Sequence, residues 1–228
     1  MRLTEREPRE TGRDYALRTI KDSIICLELP PGCMVSENEL AAQMGLSRTP
    51  VREALQELSK VRLVDIYPQR GSAVALIDYD LVAEARFMRH VLECAVVEQV
   101  CAQAQPEHLL ALESNVQLQE RCQQLDATDR LWALDNEFHR LLFQLAGKEL
   151  TWHMMKGFTA HFDRVRNMSL NALKSPKTVQ EHRAIYTAVA QRNLPEARQL
   201  MSQHLTRYQV DAQALRERYP AEYFKSNI

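Results

Sequence analysis

Glycine is scarce in this sequence, with 6 residues among 228. Long stretches lack both glycine and proline, which argues against a turn-rich all-β design and favours helices. Neither charge sign is in excess, since 29 Lys and Arg stand against 30 Asp and Glu. No bulk basic surface therefore points to a polyanionic partner, and any case for one must be local. No apolar run approaches the length of a membrane span. The opening MRLTEREPRETGRD has no apolar signal-peptide core, so a cytoplasmic protein with no membrane partner is expected. The 5 cysteines are odd in number and form no Cys-x-x-Cys. Reduced, mostly buried thiols are expected, with Cys94 and Cys101 able to share a helix face in core packing rather than metal or redox work. HExxH, a Gly-rich phosphate loop and a nucleophile elbow are all missing, which speaks against an enzyme.

What is present is ordinary globular material, 45% hydrophobic and 26% charged, sufficient for a buried core. Residues 1–12 read as a flexible, charged arm. Over residues 15–27, Leu17, Ile20, Ile24 and Leu27 recur at helical spacing, and Leu-Pro-Pro-Gly stops the helix at 29–32. Ser36 is a good N-cap with Glu39 three residues later, and Gly45 is placed to end that helix in a left-handed conformation. A third helix starts at Ser47 or Thr49, with Pro50 in its first turn. The segment LVDIYPQRGSAVALI then alternates about a turn at 68–72 and reads as a β-hairpin. Three helices and a hairpin over residues 13–77 make a winged helix-turn-helix. Residues 78–219 read as an all-helical antiparallel bundle, with helices near 80–103, 106–126, 129–146, 149–172, 177–192 and 195–217, followed by a tail at 220–228. The breaks fall at Pro106, at 126–128, at Gly147, at 175–176 and at 193–195. The fold class is mainly α.

A DNA major groove admits one α-helix, read from its N-terminal end. The helix from Ser47 carries suitable chemistry there. Arg48 and Arg52 are four apart and share a face, which suits bidentate contact with guanine or phosphate. Ser47 and Thr49 offer hydroxyls or backbone N–H groups to phosphate. Arg70 and Gly71 sit at the hairpin tip, where arginine reaches a minor groove or backbone and glycine permits close approach. Alone, Arg48 and Arg52 fit a solvated helix face equally well; the order of elements around them is what favours DNA. The segment SENELAAQMGLSRTPVREALQELSKVRLVDIYPQRGSAV resembles the head of the GntR regulators, most closely in SRTPVREAL and QRGSAV. The resemblance implies operator contacts by Ser47, Arg48, Arg52 and Gly71, with Arg70 at the matching wing tip. Asn38 departs from the pattern, because many members carry arginine there. The helical remainder resembles the FadR-type effector domain called FCD, so the likeness spans about residues 13–217.

Seven histidines are present, and one set has ligand-like spacing. Asp135 and His139 are at i,i+4 and share a helix face. His182 and His204 lie on two further helices. Together these residues can close a site of three nitrogens and one oxygen, which suits a divalent transition metal: zinc first, with nickel, cobalt, iron or manganese as alternatives. Histidines of amphipathic helices also serve as surface or satisfied core groups, and spacing does not separate the two. The resemblance does favour the metal, since many FCD domains carry this Asp-x3-His, His, His set and Asp135, His139, His182 and His204 match it. The arginine of the R-x-x-L-E segment, here Arg89, often meets an acidic effector in that family. A helical ion pair with Glu93 is the alternative. Arg164 and Arg166 are weaker candidates that a solvated face would explain.

These features imply a sequence-specific transcription regulator. It would bind double-stranded, palindromic operator DNA as a homodimer, under control of a small acidic metabolite bound near the metal. The alternatives are a regulator that senses the metal itself and, further off, a metal-dependent enzyme using the site to activate water.

Overall fold

The computed structural model describes residues 1, 3–173, 176–206 and 208–226. The chain forms two compact units. One comprises Met1–Val82, Ala160–Val165 and Arg216–Ile228, and the other Ala83–Thr159 and Arg166–Leu215. The elements are α1 (Gly12–Ile25), β1 (Met34–Val35), α2 (Glu37–Met44), α3 (Arg48–Lys60), β2 (Val64–Tyr67), β3 (Gly71–Val74), α4 (Tyr79–Gln103), α5 (Pro106–Gln124), α6 (Thr128–Leu145), α7 (Glu149–Phe158), α8 (Ala160–Leu173), α9 (Lys177–Ala190), α10 (Leu194–Thr206) and α11 (Tyr208–Arg218).

In the first unit, local chemistry sets each boundary. Thr11 caps α1 by accepting from the Asp14 amide, and Ser36 caps α2 by accepting from the Glu39 amide. Gly45 ends α2 at φ 65°, the left-handed position expected of it. The buried faces of α1 and α3 pack together through Ile20, Ile24, Val51, Leu55 and Leu58. Each such side chain contributes about 1.5–3 kcal/mol of burial. β2 and β3 form the expected hairpin, with Tyr67 paired to Gly71. Gln69 and Gly71 take the positive φ of the turn, 60° and 99°. The sequence reading missed β1, which pairs Met34 with Ala73 and Val35 with Ser72 to give the order β1-β3-β2. A two-residue strand has too few positions to display alternation.

The arm is held against α1. Arg18 donates to both Glu10 carboxylate oxygens at 2.7 and 2.8 Å and to Thr4 Oγ1 at 2.6 Å. This fork holds the Glu10 carboxyl down at about 2. The C-terminal segment is also tied into this unit. The Ile77 amide donates to Tyr223 O at 2.8 Å and the Lys225 amide to Ile77 O at 2.9 Å. The Phe224 ring stacks on Tyr79, 6.1 Å between centroids. At the start of α8, His161 donates from Nε2 to Val61 O at 2.8 Å, with its pKa pushed down by burial.

In the second unit, α5 packs on α6 and α9, α9 on α10, and α6 on α7. A small apolar cluster of Cys122, Leu131, Leu170 and Val179 lies within it. Two expected long helices are divided. The span 149–172 breaks after Phe158, where Gly157 weakens the helix next to fully buried Thr159. The span 195–217 becomes α10 and α11. Residue 207 between them, and residue 175 of the expected break at 175–176, lie outside the described residues. All five cysteines are free, with Cys94, Cys101 and Cys122 buried. No helix among the described residues is long and apolar enough to cross a membrane.

Candidate nucleic-acid interface and metal centre

α3 begins at Arg48, directly after its N-cap Ser47, whose side chain makes no capping hydrogen bond. The hydroxyl is thus not committed to the helix that it precedes. Ser47, Arg48, Thr49, Arg52, Arg70 and Gly71 are all exposed. Arg48, Arg70 and Gly71 line one groove together with Ser36, Glu37 and Asn38, so the fold brings the start of α3 and the wing tip to the same place. Arg52 follows one turn later on α3. Arg48 Nη2 lies 3.4 Å from Glu37 Oε2, an ion pair whose arginine is 68% exposed. A pair this open contributes little to stability and leaves the guanidinium available to another acceptor. Asn38 supplies no charge to the groove.

The second unit brings His139, His182 and His204 into a single cluster, from α6, α9 and α10. His139 and His182 are fully buried and His204 is 7% exposed. The Nε2 atoms of His182 and His139 each lie 3.3 Å from His204 Nε2. Asp135 is 1% exposed, and its Oδ1 lies 3.7 Å from His182 Nε2. The four candidate ligands therefore stand together, the three rings more tightly than the carboxylate. Phe138 stacks on the His182 ring, 4.2 Å between centroids, and fixes its plane.

Protonation of these rings follows from what lies behind each one. His204 Nδ1 is 2.7 Å from Glu181 Oε2, and His139 Nδ1 is 2.5 Å from Glu93 Oε2. His182 Nδ1 is 2.8 Å from Gln119 Oε1. The Gln119 amide is oriented by its own donation, from Nε2 to Asn115 Oδ1 at 2.7 Å, so its oxygen must face the histidine as an acceptor. With the rings neutral, a proton on each Nδ1 would face these acceptors and leave each Nε2 lone pair toward the shared centre. Three lone pairs this close repel unless a cation lies between them. Separations of 3.3 Å suit an edge of a coordination shell with bonds of about 2 Å. The donor set fits a divalent transition metal, and the Nδ1 acceptors are the partners such ligands need.

Arg89 and Glu93 form a buried ion pair on α4, 1% and 0% exposed, through Arg89 Nε and Glu93 Oε1. Burial raises the Glu93 carboxyl, but the Arg89 guanidinium and His139 outweigh it and hold the group below the ordinary carboxylate range. The helical ion pair considered for Arg89 is thus present. Glu93 in turn reaches His139, so Arg89 belongs to the surroundings of the histidine cluster. Arg164 and Arg166 are not on a solvated face. Arg164 is 1% exposed and donates to Ala75 O in the winged unit. Arg166 grips Asp135 in the helical unit.

Sequence reasoning missed the outer groups Glu93, Gln119 and Arg166 as neighbours of the cluster. Glu181 adjoins His182 in sequence, yet the ring it meets is that of His204. Glu137, two residues before His139, is instead occupied by Arg140 at 2.6 Å on the surface. Three of the remaining histidines have other uses: His90 bonds Ser202 Oγ at 2.9 Å, His108 accepts from the Gln105 amide at the start of α5, and His161 meets Val61 O; His153 is exposed.

Comparison with known proteins finds a family match for each half of the chain. Residues 15–74 match the model for bacterial regulatory proteins of the gntR family, and residues 84–207 match the FCD domain. The chain is 36% identical over 219 residues to an HTH-type transcriptional regulator in an unstable DNA locus of Streptomyces ambofaciens, covering 96% of this chain and 92% of that one. It is 30% identical over 215 residues to the HTH-type transcriptional repressor RspR of Escherichia coli K12, covering 94% of each. A solved putative GntR regulator from Rhodococcus sp. RHA1 superposes with a TM-score of 0.73 at 25% identity, covering 91% of this chain and 99% of that one. The family is one of transcription regulators, not enzymes. The chain belongs to the GntR family of bacterial transcription regulators, with a winged helix-turn-helix head and an FCD effector domain.

Proposed function

We propose that this regulator reads a two-fold operator as a homodimer and that a small carboxylate metabolite, bound beside a metal in the helical unit, sets its operator affinity. Ser47, Arg48, Thr49 and Arg52 at the start of α3 contact bases and phosphates, while Arg70 and Gly71 at the wing tip approach the minor groove or backbone. Exposed apolar residues support a second copy as partner: Phe87 and Val91 on α4, and Leu150, Met154 and Phe158 at i, i+4 and i+8 on α7, each 49–74% exposed.

The observation that carries the metal-linked reading is the convergence of three Nε2 lone pairs with an acceptor behind every Nδ1. His139, His182, His204 and Asp135 would hold a divalent transition metal. When bound, it would supply Lewis-acid positions for a carboxylate ligand. Arg89 would receive the acid's charge, in competition with Glu93.

The test is an anisotropy titration of an operator selected by the protein from a random duplex pool. Protein as purified, protein stripped by chelator, and protein reloaded with zinc, nickel or cobalt are compared, each with and without a panel of small carboxylic acids. The expected result is an operator affinity shifted by at least one acid in the metal-loaded protein only. An affinity indifferent to metal and to every acid would contradict the proposal. The same convergence of ligands favours a second reading, in which the metal itself is the signal. An affinity that follows the metal and no acid would select that reading.

A further inference from the structure

We infer that Arg166 is the positioning residue that makes Asp135 a one-oxygen donor at the metal centre; this rests on the metal reading above. The two oxygens of Asp135 are engaged differently. Oδ2 accepts from Arg166 Nη2, whereas Oδ1 lies 3.7 Å from His182 Nε2. Arg166 reaches in from α8, and its guanidinium lies 5.3 Å from the centre of the Trp132 ring. Trp132 is one turn before Asp135 on α6. One helix thus supplies both the flat surface on which the guanidinium lies and the carboxylate that it grips. The pair is nearly sealed, with side chains 11% and 2% exposed.

A buried carboxylate without such a partner can rotate about its last bond. It can then offer both oxygens to a cation or turn away and offer neither. A guanidinium nitrogen held on Oδ2 limits that freedom, because it occupies one oxygen and keeps the carboxylate charged. Oδ1 is left as the single oxygen facing the rings. Arg166 is placed to act through Asp135, as Glu93, Gln119 and Glu181 are placed to act through the histidines.

The test uses Co2+ as the probe, bound to the full-length protein and to Arg166→Ala, Arg166→Gln and Arg166→Lys variants. Affinity is read by competition with a coloured chelator, and ligand geometry by the visible Co2+ spectrum. Circular dichroism selects the variants that keep the helical content. Arg166→Ala and Arg166→Gln are expected to bind Co2+ about 10–100-fold more weakly. Their bands should shift or change intensity as Asp135 changes its mode of binding. Arg166→Lys, which keeps a charge on Oδ2, should recover part of both effects. A purely structural role would lower the thermal midpoint and leave the spectrum unmoved. Folded Arg166→Gln with wild-type affinity and spectrum therefore overturns the inference while leaving the metal reading standing. Wild-type protein that takes up no Co2+ overturns both.

Discussion

In the winged unit, Ser47, Arg48, Thr49, Arg52, Arg70 and Gly71 are all exposed. In the helical unit, Arg89, Glu93, Asp135, His139, His182 and His204 are all buried, and hydrogen bonds or ion pairs join them. On the proposed reading, the first group waits for a large, charged, solvated partner, and its side chains stay hydrated and adaptable until DNA displaces the water. The second group is arranged before any ligand arrives, so the cost of bringing its donors together is met by the folding of the bundle. Mutation should therefore separate the two. Changes in the winged group should alter binding with little effect on stability, and changes in the helical group should alter both.

The largest expected effect is that of Glu93→Ala. It removes the carboxylate between Arg89 and His139, and breaking a buried pair costs about 3–5 kcal/mol. Urea denaturation at neutral pH should show a loss of that order. A loss below about 1 kcal/mol would mean that the pair is not closed as described.

Arg52→Ala is the contrasting change. It should cost about 1–3 kcal/mol of specific operator binding and leave the urea midpoint within about 0.5 kcal/mol of wild type, as exposed substitutions do. Equal affinity for the selected operator and a scrambled duplex would fit the loss of a base contact. Unchanged specific affinity would remove Arg52 from the interface.

The same contrast governs what could be read before the structure. The caps at Ser36 and Gly45, the stripe of α3 and the turn at Gly71 depend on neighbours within a few residues, so they were legible. Asp135 and His139 were legible as a pair because a helix puts i and i+4 on one face. That His182 and His204 could join them was raised by their places on two further helices and favoured by family resemblance, since nothing local to either ring indicates the other. The outer partners had no local signal at all. Gln119 meets His182 across 63 residues, Glu181 meets His204 across 23, and Arg166 meets Asp135 across 31. Long-range pairs of this kind are created by helix packing. Strand β1 and the break at Thr159 were missed for the opposite reason, because each is too short to establish a period.

The smallest expected effect lies in the arm. Glu10 is held at about 2 by Arg18, against about 4.3 for an unconstrained glutamate. A lowered folded-state pKa contributes stability above the unfolded value and loses it as pH falls through the folded one. The Glu10–Arg18 contact should therefore weaken between about pH 4 and pH 2. Glu10→Gln should flatten that part of the acid limb and cost less than about 1 kcal/mol at pH 7. Faster amide exchange over residues 3–10 in this variant would sharpen the account of the arm, and exchange already at the free-peptide rate in wild type would break it.

The central claim is that His139, His182, His204 and Asp135 form a metal centre in the effector domain of a DNA-binding regulator. Native mass spectrometry of the full-length protein as purified tests it most directly, with His182→Ala measured alongside. The account predicts one divalent metal ion per chain in the wild type, none in the variant, and a rise in thermal midpoint when metal is added back to stripped wild type alone. A metal-free wild type whose midpoint is unmoved by zinc, nickel or cobalt would contradict it.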